Sequence, residues 1–559
     1  MNTSNRFSFN LIDEQWVPCI RQGQSSSELL TLRQTLVEAH ALKEIYAESP
    51  LVTASLYRLC LAVLHCVFGP RDHREWHTLW QQAKRWDEDV LNAYLDKPEV
   101  YSRFDLFDVK SAFYQAADKR VKPISIASLI IGVASGNEAT LFDHTTEGKG
   151  LTLTPAQAAR ALVTAQAFGL GGLSGVRNVS FVDAAGAQGI VFLVEGENLF
   201  ETLVLNLVQY PPQDDVLQTD LRRDKPTWQM EDPLTPRTRP FGYLDFLTWP
   251  NRRILLLPEQ EGESVVVRQM TWAPDLQMSK DVRDPAKHHR KNNDPKSDQP
   301  WLPLRFSVSK ALWRDSATLF QKEDANSCPP YACRWLSDLA HPRHDYLDSS
   351  RKYRLMAFGI AKDRANVFFY RAERLPLPLK LLADETGILV GALSEAVTMA
   401  EKTARVLQAA VNQLATSLIR PENRSEAPKA TPSTDDKPGK RKGKKSADEE
   451  AGGKRDDTRD KLVNSWGAEG RFWGQLEPSF WQFVDVLTQS EDEDARESSR
   501  QMWSDTLRGA AWDALALAER YAGNTPRALK AAVMARTRLK MGLGRVLQKA
   551  KSTPEEETV

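Results

Sequence analysis

Histidine and cysteine are scarce in this chain, and their scarcity excludes most metal and covalent chemistry. Nine histidines and five cysteines are spread over 559 residues, and no two cysteines form a C-x-x-C pair. A zinc site needs three or four such ligands at close spacing. We therefore expect no metal and no cofactor. An odd, sparse set of cysteines in a long chain instead indicates buried thiols and a reducing cytoplasm.

Three further features are missing. The catalytic motifs H-E-x-x-H and G-x-S-x-G do not occur. The start, Met1 to Arg6, lacks the apolar core of a signal peptide. The sequence also contains no run of about 18 apolar residues, so we expect no membrane span. The 74 basic residues equal the 74 acidic ones, so a polyanionic partner would need a local basic patch.

The chain has enough length and apolar content for several packed domains. Hydrophobic residues make up 41% of it, and its length predicts roughly two to four domains. Helix and strand patterns mix over residues 1–376, and helical patterns fill residues 377–559. We therefore predict an α+β fold, in which a large mixed α/β N-terminal domain precedes a C-terminal four-helix bundle.

The predicted bundle has helices over residues 385–419, 460–489, 492–522 and 526–550. Between the first two, residues 421–459 contain almost no large apolar side chain. Such a composition cannot bury a core, so we predict a disordered loop there.

A glycine-rich stretch follows a well-marked helix. Thr154 to Gln157 forms a capping box with proline at the first helical position, and Gly169 is expected to end the helix. Four glycines stand in the next seven positions, at 169, 171, 172 and 175. They permit positive φ and close approach of a partner. That partner is an anion held by successive N–H groups or a nucleic-acid groove, and the alternative is a flexible surface turn.

The last helix is strongly basic. Between Arg527 and Lys551 there are eight basic residues and no acidic one, and Leu529 and Val533 belong to a predicted apolar face. This pattern favours a surface that follows a nucleic-acid backbone. The alternative is a solvated face balanced by neighbouring helices. The mid-helix candidates for phosphate contact are Arg536, Arg538, Lys540 and Arg545.

Two other segments carry concentrated charge. Residues 280–298 are predicted to form a charged loop that includes Lys287, Arg290 and Lys291. Two β-type runs within residues 358–370 flank Lys362-Asp363-Arg364, which predicts a hairpin with a charged tip.

One dipeptide suggests an enzyme. His344-Asp345 matches the core of metal phosphohydrolases, and His341 is close in sequence. That chemistry needs further His and Asp ligands at matching positions. A metal-dependent nuclease that uses His341, His344 and Asp345 is therefore the alternative function, and we expect the chain not to be an enzyme.

Seven stretches in one order resemble the CasA family, the large subunit of the type I-E CRISPR surveillance complex Cascade. They are Phe9 to Pro18, Ser49 to Ala54, Leu141 to Thr145, Ala165 to Gly172, Gly242 to Trp249, Ala311 to Asp315 and Arg374 to Pro378. The resemblance implies a non-catalytic subunit that recognises the PAM of target double-stranded DNA from the minor groove. It also implies roles in R-loop formation and in recruiting a helicase–nuclease, with CasB, CasC, CasD, CasE and CRISPR RNA as partners.

The resemblance also assigns roles to residues of this chain. By motif, the DNA-contacting residues are Phe142, Asp143 and His144 in a PAM loop, Gly169, Leu170, Gly171 and Gly172 in a glycine loop, Lys291 with Arg290 as a lysine finger, and Lys362, Asp363 and Arg364 as a duplex wedge. The minor groove distinguishes little beyond A·T from G·C pairs. A glycine loop presents mainly backbone N–H and C=O groups, which are sufficient to recognise this degenerate pattern.

Overall fold

The computed structural model describes residues 7–131, 150–210, 217, 219–363, 366–419, 457–490 and 492–547. The chain divides into two compact units, residues 1–385 and 386–559. The first mixes helices with strands and the second is helical, which confirms the predicted fold class. The expected boundary at 376 falls inside a strand that continues to Pro378, so the division lies after residue 385.

All strands described lie in the first unit. They are β1 (Val17–Arg21), β2 (Ser27–Leu30), β3 (Leu42–Ile45), β4 (Ile124–Ser125), β5 (Gly172–Leu173), β6 (Ser180–Phe181), β7 (Ile190–Glu195), β8 (Arg252–Glu261), β9 (Ser264–Pro274), β10 (His289–Lys291), β11 (Trp301–Pro303), β12 (Ser327–Cys328), β13 (Lys352–Asp363) and β14 (Asn366–Pro378). They form small antiparallel sheets with the strand orders β2-β1-β3, β4-β9-β8, β5-β6, β11-β10-β12 and β14-β13-β7.

The helices of this unit are short, with two exceptions. They are α1 (Leu32–Val37), α2 (Pro50–Phe68), α3 (His73–Thr78), α4 (Glu88–Leu95), α5 (Pro98–Tyr101), α6 (Pro155–Phe168), α7 (Leu199–Leu205), α8 (Tyr243–Leu247), α9 (Ser316–Leu319), α10 (Tyr331–Leu339) and α11 (Leu379–Ala383). The two long ones, α2 and α6, pack against each other.

Helix α2 is the core helix of the first unit. Ser49 caps its N-terminus, proline occupies its first position, and α6, α8, β13 and β14 pack around it. Among the described residues it alone is long and apolar enough to cross a membrane by length and composition, contrary to the prediction from the sequence, but 72% of its most apolar stretch is buried. Such burial is typical of a helix at the centre of a folded core.

Helix α6 begins and ends as predicted. The Gln157 N–H donates to Thr154 Oγ1 at 3.3 Å, and the Thr154 N–H donates to Gln157 Oε1 at 2.9 Å. These reciprocal bonds satisfy donors that the first turn would otherwise leave unpaired. The helix ends at Phe168, and the Gly169 N–H donates to the carbonyl of Ala165. The glycine-rich stretch therefore begins directly at the well-defined C-terminal end of α6.

The predicted hairpin around residues 358–370 is the pair β13–β14. Its register continues to Lys362 opposite Val367 and Asp363 opposite Asn366. The structure describes Lys362 and Asp363 by their backbone only, and Arg364 lies outside the described residues.

The second unit is a four-helix bundle. Its first helix is α12 (Ile388–Ile419). The second helix of the bundle, here called the second layer, consists of three segments, which are residues 457–465, α13 (Ala468–Gly474) and α14 (Glu477–Gln489). The third and fourth helices are α15 (Glu493–Ala522) and α16 (Pro526–Leu547). The second layer breaks at Gly467, whose φ of 64° is left-handed, and again before Pro478. Of the predicted loop, residues 421–456 lie outside the described part, and residues 457–459 are helical.

Candidate nucleic-acid interface

The glycine-rich stretch folds into a small hairpin, residues 169–183, which we call the glycine hairpin. Strands β5 and β6 pair Gly172 with Phe181 and Leu173 with Ser180. Leu173 is 95% exposed. A Cβ added at Gly172 would meet no heavy atom within 4 Å. The hairpin therefore presents bare backbone at Gly172, beside the exposed side chain of Leu173.

Close packing explains Gly169 and Gly171, whereas Gly172 and Gly175 have room for a Cβ. None of the four takes a positive φ, whereas Asn178 does, at 60°. A Cβ at Gly169 would crowd the Ala165 carbonyl, and one at Gly171 would stand 3.3 Å from the Asp183 backbone N. The expectation of positive φ is thus wrong at these positions.

The predicted anion nest is also not favoured. The Gly171 N–H donates to Asp183 Oδ1 at 2.7 Å. A carboxylate of the protein therefore already occupies the donor that a bound anion would use. The nucleic-acid alternative does not depend on that donor.

The glycine hairpin forms one wall of a cleft of about 580 Å³, which we call the glycine groove. Gly171, Gly172 and residues 181–183 line this wall. Residues 277–280 and 282–284 also line the cleft, as do Lys287, His289 and Trp301. The fold thus brings together two segments about a hundred residues apart.

Lys287 holds the groove together and is not an exposed loop cation. Its side chain is 2% exposed, lies 3.5 Å from Asp284, and donates to the carbonyls of Ala185 and Gln188. Burial lowers the pKa of Lys287 to about 8. Lys287 therefore ties the chain that follows the glycine hairpin to the segment that contains Asp284.

Arg290 and Lys291 lie on the central strand β10 and not in a loop as predicted. Arg290 pairs with Leu302 and Ser327 across the three-stranded sheet. Both side chains are exposed, and neither has an ion-pair partner within the described ranges. They follow His289, which lines the groove. Two exposed cations therefore follow a groove-lining residue along the same strand, with their side chains on alternate faces of the sheet.

Other predicted contact residues are not placed. Phe142, Asp143 and His144 lie outside the described residues. The same holds for Arg364 and for the side chains of Lys362 and Asp363. Their roles stay predictions.

The basic residues of α16 differ in their surroundings. Arg536 forms a two-bond ion pair with Glu519 of α15, at 2.8 and 2.6 Å. Arg538 donates to Gln413 Oε1 at 2.9 Å. Lys540 and Arg545 are exposed, and they have no such partner in the described part of the chain. The alternative of charges balanced by a neighbouring helix thus holds for Arg536.

The apolar face of α16 is narrower than predicted. Leu529 and Val533 are 57% and 61% exposed. The buried stripe consists mainly of small residues; it is Ala528, Ala531, Ala532, Ala535, Leu539, Leu543 and Leu547. Alanines let α16 approach α12 closely, so the larger side chains at 529 and 533 remain outside the contact.

Two of the phosphohydrolase residues have partners elsewhere in the fold. His341 Nε2 lies 2.7 Å from Glu385 Oε1, and the ring of His344 stacks on that of His73 at 4.8 Å. Asp345 takes a φ of 50° in the turn that follows. No group of three or more potential metal ligands occurs among the described residues.

Arg252, the residue beneath the glycine hairpin, was not predicted from the sequence. Arg252 begins β8, is 1% exposed, and donates to the carbonyls of Leu170 and Val182. No pattern in the neighbouring sequence indicates that an arginine at the start of an apolar strand will hydrogen-bond to the base of this hairpin. Its partners come from a segment about 75 residues earlier.

Comparisons with known proteins agree with this architecture. The model of the CRISPR-associated protein Cse1 family matches residues 10–514. The CRISPR-associated protein CasA/Cse1 of Thermus thermophilus is 32% identical over 540 residues, which cover 94% of this chain and 95% of that protein.

Solved structures show the same fold. Cse1 of Acidimicrobium ferrooxidans superposes with a TM-score of 0.76 at 24% identity, covering 98% of this chain and all of that one. A chain of a solved CRISPR RNA-guided surveillance complex superposes with a TM-score of 0.69 at 20% identity, covering 95% of this chain and 99% of that one.

The architecture and these matches define a large structural subunit of an RNA-guided surveillance complex. The chain belongs to the Cse1/CasA family of Cascade subunits. The resemblance found in the sequence is thereby confirmed.

Proposed function

We propose that this chain recognises the PAM of target double-stranded DNA through the glycine hairpin. The observation that carries the proposal is the bare backbone at Gly172, which lines the glycine groove together with residues 277–280 and 282–284. A target duplex placed against Gly172 would meet main-chain groups there without an intervening side chain.

The minor groove of DNA suits such a probe. It is about 6 Å wide and offers mainly acceptors, with one donor at G·C pairs. A glycine backbone fits this width and supplies N–H and C=O groups that tolerate several sequences. The exposed cations Arg290 and Lys291 would contact the flanking phosphates and fix the register of the duplex. Guide pairing would supply the remaining specificity.

The wider role follows from the family. We propose that the β13–β14 tip enters the duplex next to the PAM as a wedge and promotes R-loop formation. We also propose that the chain assembles with CasB, CasC, CasD, CasE and CRISPR RNA and recruits the helicase–nuclease. All five cysteines are free, which supports action in the reducing cytoplasm.

The experiment measures target binding by the reconstituted complex over a library of PAM sequences, with and without this chain. Gly172→Asp adds a carboxylate where the hairpin is open. We expect affinity for matched PAM targets to fall at least about a hundredfold, because a like charge facing phosphates costs several kcal/mol.

Gly175→Asp is the matched control. It adds the same charge to the same segment, at an exposed glycine whose Cβ would meet only Val121 at an ordinary 3.8 Å. We expect it to change PAM-dependent binding little. Equal binding by wild type and Gly172→Asp would remove the hairpin from PAM recognition, and equal losses in both variants would reduce its role to general electrostatics.

A further inference from the structure

The glycine hairpin is held at its base by one buried arginine. Arg252 Nη2 donates to the Leu170 carbonyl at 2.9 Å and to the Val182 carbonyl at 2.7 Å. These carbonyls belong to the two chain segments that enter and leave the hairpin. One guanidinium nitrogen therefore closes its neck.

The same arginine is fixed to the helix that precedes the hairpin. The Arg252 N–H donates to Gln166 Oε1 at 2.9 Å, and Gln166 Nε2 donates to the Arg252 carbonyl at 2.8 Å. Because Gln166 lies on α6, this pair of bonds joins α6 to β8. The helix end, the strand and the hairpin neck thus form one connected network.

Arg252 is a buried cation that the Asp183 carboxylate attracts from beyond ion-pair distance. No carboxylate lies within ion-pair distance of it among the residues described, and its Nε has no hydrogen-bond partner there. The Phe181 ring lies 4.7 Å from its Cζ. Burying an unpaired charge is costly. Carbonyl dipoles and an aromatic face stabilise it, and residues 170, 181 and 182 of the hairpin supply them.

The geometry also accounts for the glycine at the helix end. A Cβ at position 169 would stand 3.2 Å from Arg252 Nη2, which is tighter than ordinary contact. Gly169 therefore leaves the room that the guanidinium needs beside the hairpin.

We propose that Arg252 is a positioning residue that holds the glycine hairpin in the conformation that meets DNA. The inference rests on the proposed function of the hairpin. Nη2 donates to both carbonyls while Nη1 donates to the Asn251 carbonyl at 3.2 Å, which fixes the plane of the guanidinium. A lysine ammonium has no second nitrogen for that anchor and sits at the end of a flexible stem. Arg252→Lys should therefore keep the buried charge and loosen the hairpin.

The first measurement needs no DNA. Amide hydrogen exchange in the full chain should be about tenfold faster at Gly171 to Leu173 in Arg252→Lys, because one charge-assisted bond is lost. Exchange in α2 should not change, which separates local loosening from unfolding. Unchanged exchange at the hairpin would overturn the inference.

The second measurement uses the reconstituted complex. The ratio of affinities for matched and mismatched PAM targets should fall about tenfold in Arg252→Lys, while affinity for mismatched targets stays constant. A general structural defect would lower both affinities together. Arg253→Lys is the control, because Arg253 is half-buried and pairs with Asp275 at 3.3 Å, away from the hairpin neck.

Gly172→Asp, measured in parallel, distinguishes failure of the positioning role of Arg252 from failure of the proposed function of the hairpin. If Gly172→Asp abolishes PAM discrimination and Arg252→Lys leaves it intact, the positioning role is refuted and the proposed function stands. If neither variant alters discrimination, the proposed function fails and the inference fails with it.

Discussion

The basic residues of α16 should differ in how much each contributes to binding DNA, because one of them is already neutralised. Arg536 is paired with Glu519, whose side chain is only 12% exposed. Arg538, Lys540 and Arg545 are exposed, and none has a carboxylate partner in the described part of the chain. Only these three should displace counterions from a phosphate backbone.

The salt dependence of binding measures this difference. Each lost phosphate contact makes the slope of log affinity against log salt shallower by about 0.9 on duplex and about 0.7 on single strands. The Arg538→Ala, Lys540→Ala, Arg545→Ala triple variant should therefore lose up to about 2–3 units of slope. Arg536→Ala should leave the slope unchanged and cost about 1–3 kcal/mol of stability, because it leaves the mostly buried Glu519 carboxylate unpaired.

Glu519→Gln should change the salt-dependence slope in the opposite direction. It removes the anion and frees Arg536, so the slope should become steeper by about 0.7–0.9. The assay titrates the reconstituted complex with matched targets between about 50 and 200 mM salt, on full duplex and on a target without the displaced strand. Circular dichroism checks the fold of each variant.

Three outcomes have distinct meanings. A triple variant with the wild-type slope on both substrates would show that this face does not bind DNA. A slope change in Arg536→Ala as large as one third of that in the triple variant would refute the claim that its ion pair removes it from binding. A change confined to full duplex would place the displaced strand along the bundle.

Two further predictions concern the wedge and the bundle. Replacing residues 362–364 with glycine should slow R-loop formation on intact duplex but matter little on a target with an opened bubble; equal slowing on both substrates would argue against a wedge. Gly509→Ala, in open space on α15, should stabilise the bundle by about 0.5–1 kcal/mol. Gly542→Ala should destabilise it by about 1–3 kcal/mol, because its Cβ would collide with Val406 of α12; thermal melting compares the two, and a higher melting temperature for Gly542→Ala would contradict this packing.

Features determined by neighbouring residues were predictable from the sequence. The capping box at Thr154, the end of α6 at Gly169 and the β13–β14 hairpin all depend on residues within a few positions of one another. The long helices α12, α15 and α16 follow from apolar spacing. Their existence and order could therefore be stated before the structure.

Features determined by distant residues were not predictable. Lys287 looked like one more cation in a charged loop, but the chain at 185–188 buries it. Arg290 became part of a strand because Ser327 and Leu302 pair with it. The ion pair between Arg536 and Glu519 joins two helices whose relative rotation no local pattern gives. In each case the deciding partner lies at least ten residues away.

The buried position of α2 has a consequence for synthesis. This helix leaves the ribosome early, yet α6, α8, β13 and β14, which cover it, are encoded up to Pro378. About 300 residues must be added after it, and translation at roughly 5–20 residues per second takes about 15–60 s. Until β13 and β14 are made, the nascent chain carries an incompletely covered segment with the apolarity of a membrane span. Production of this subunit therefore depends on holding that segment away from membranes and other chains until its own C-terminal strands arrive.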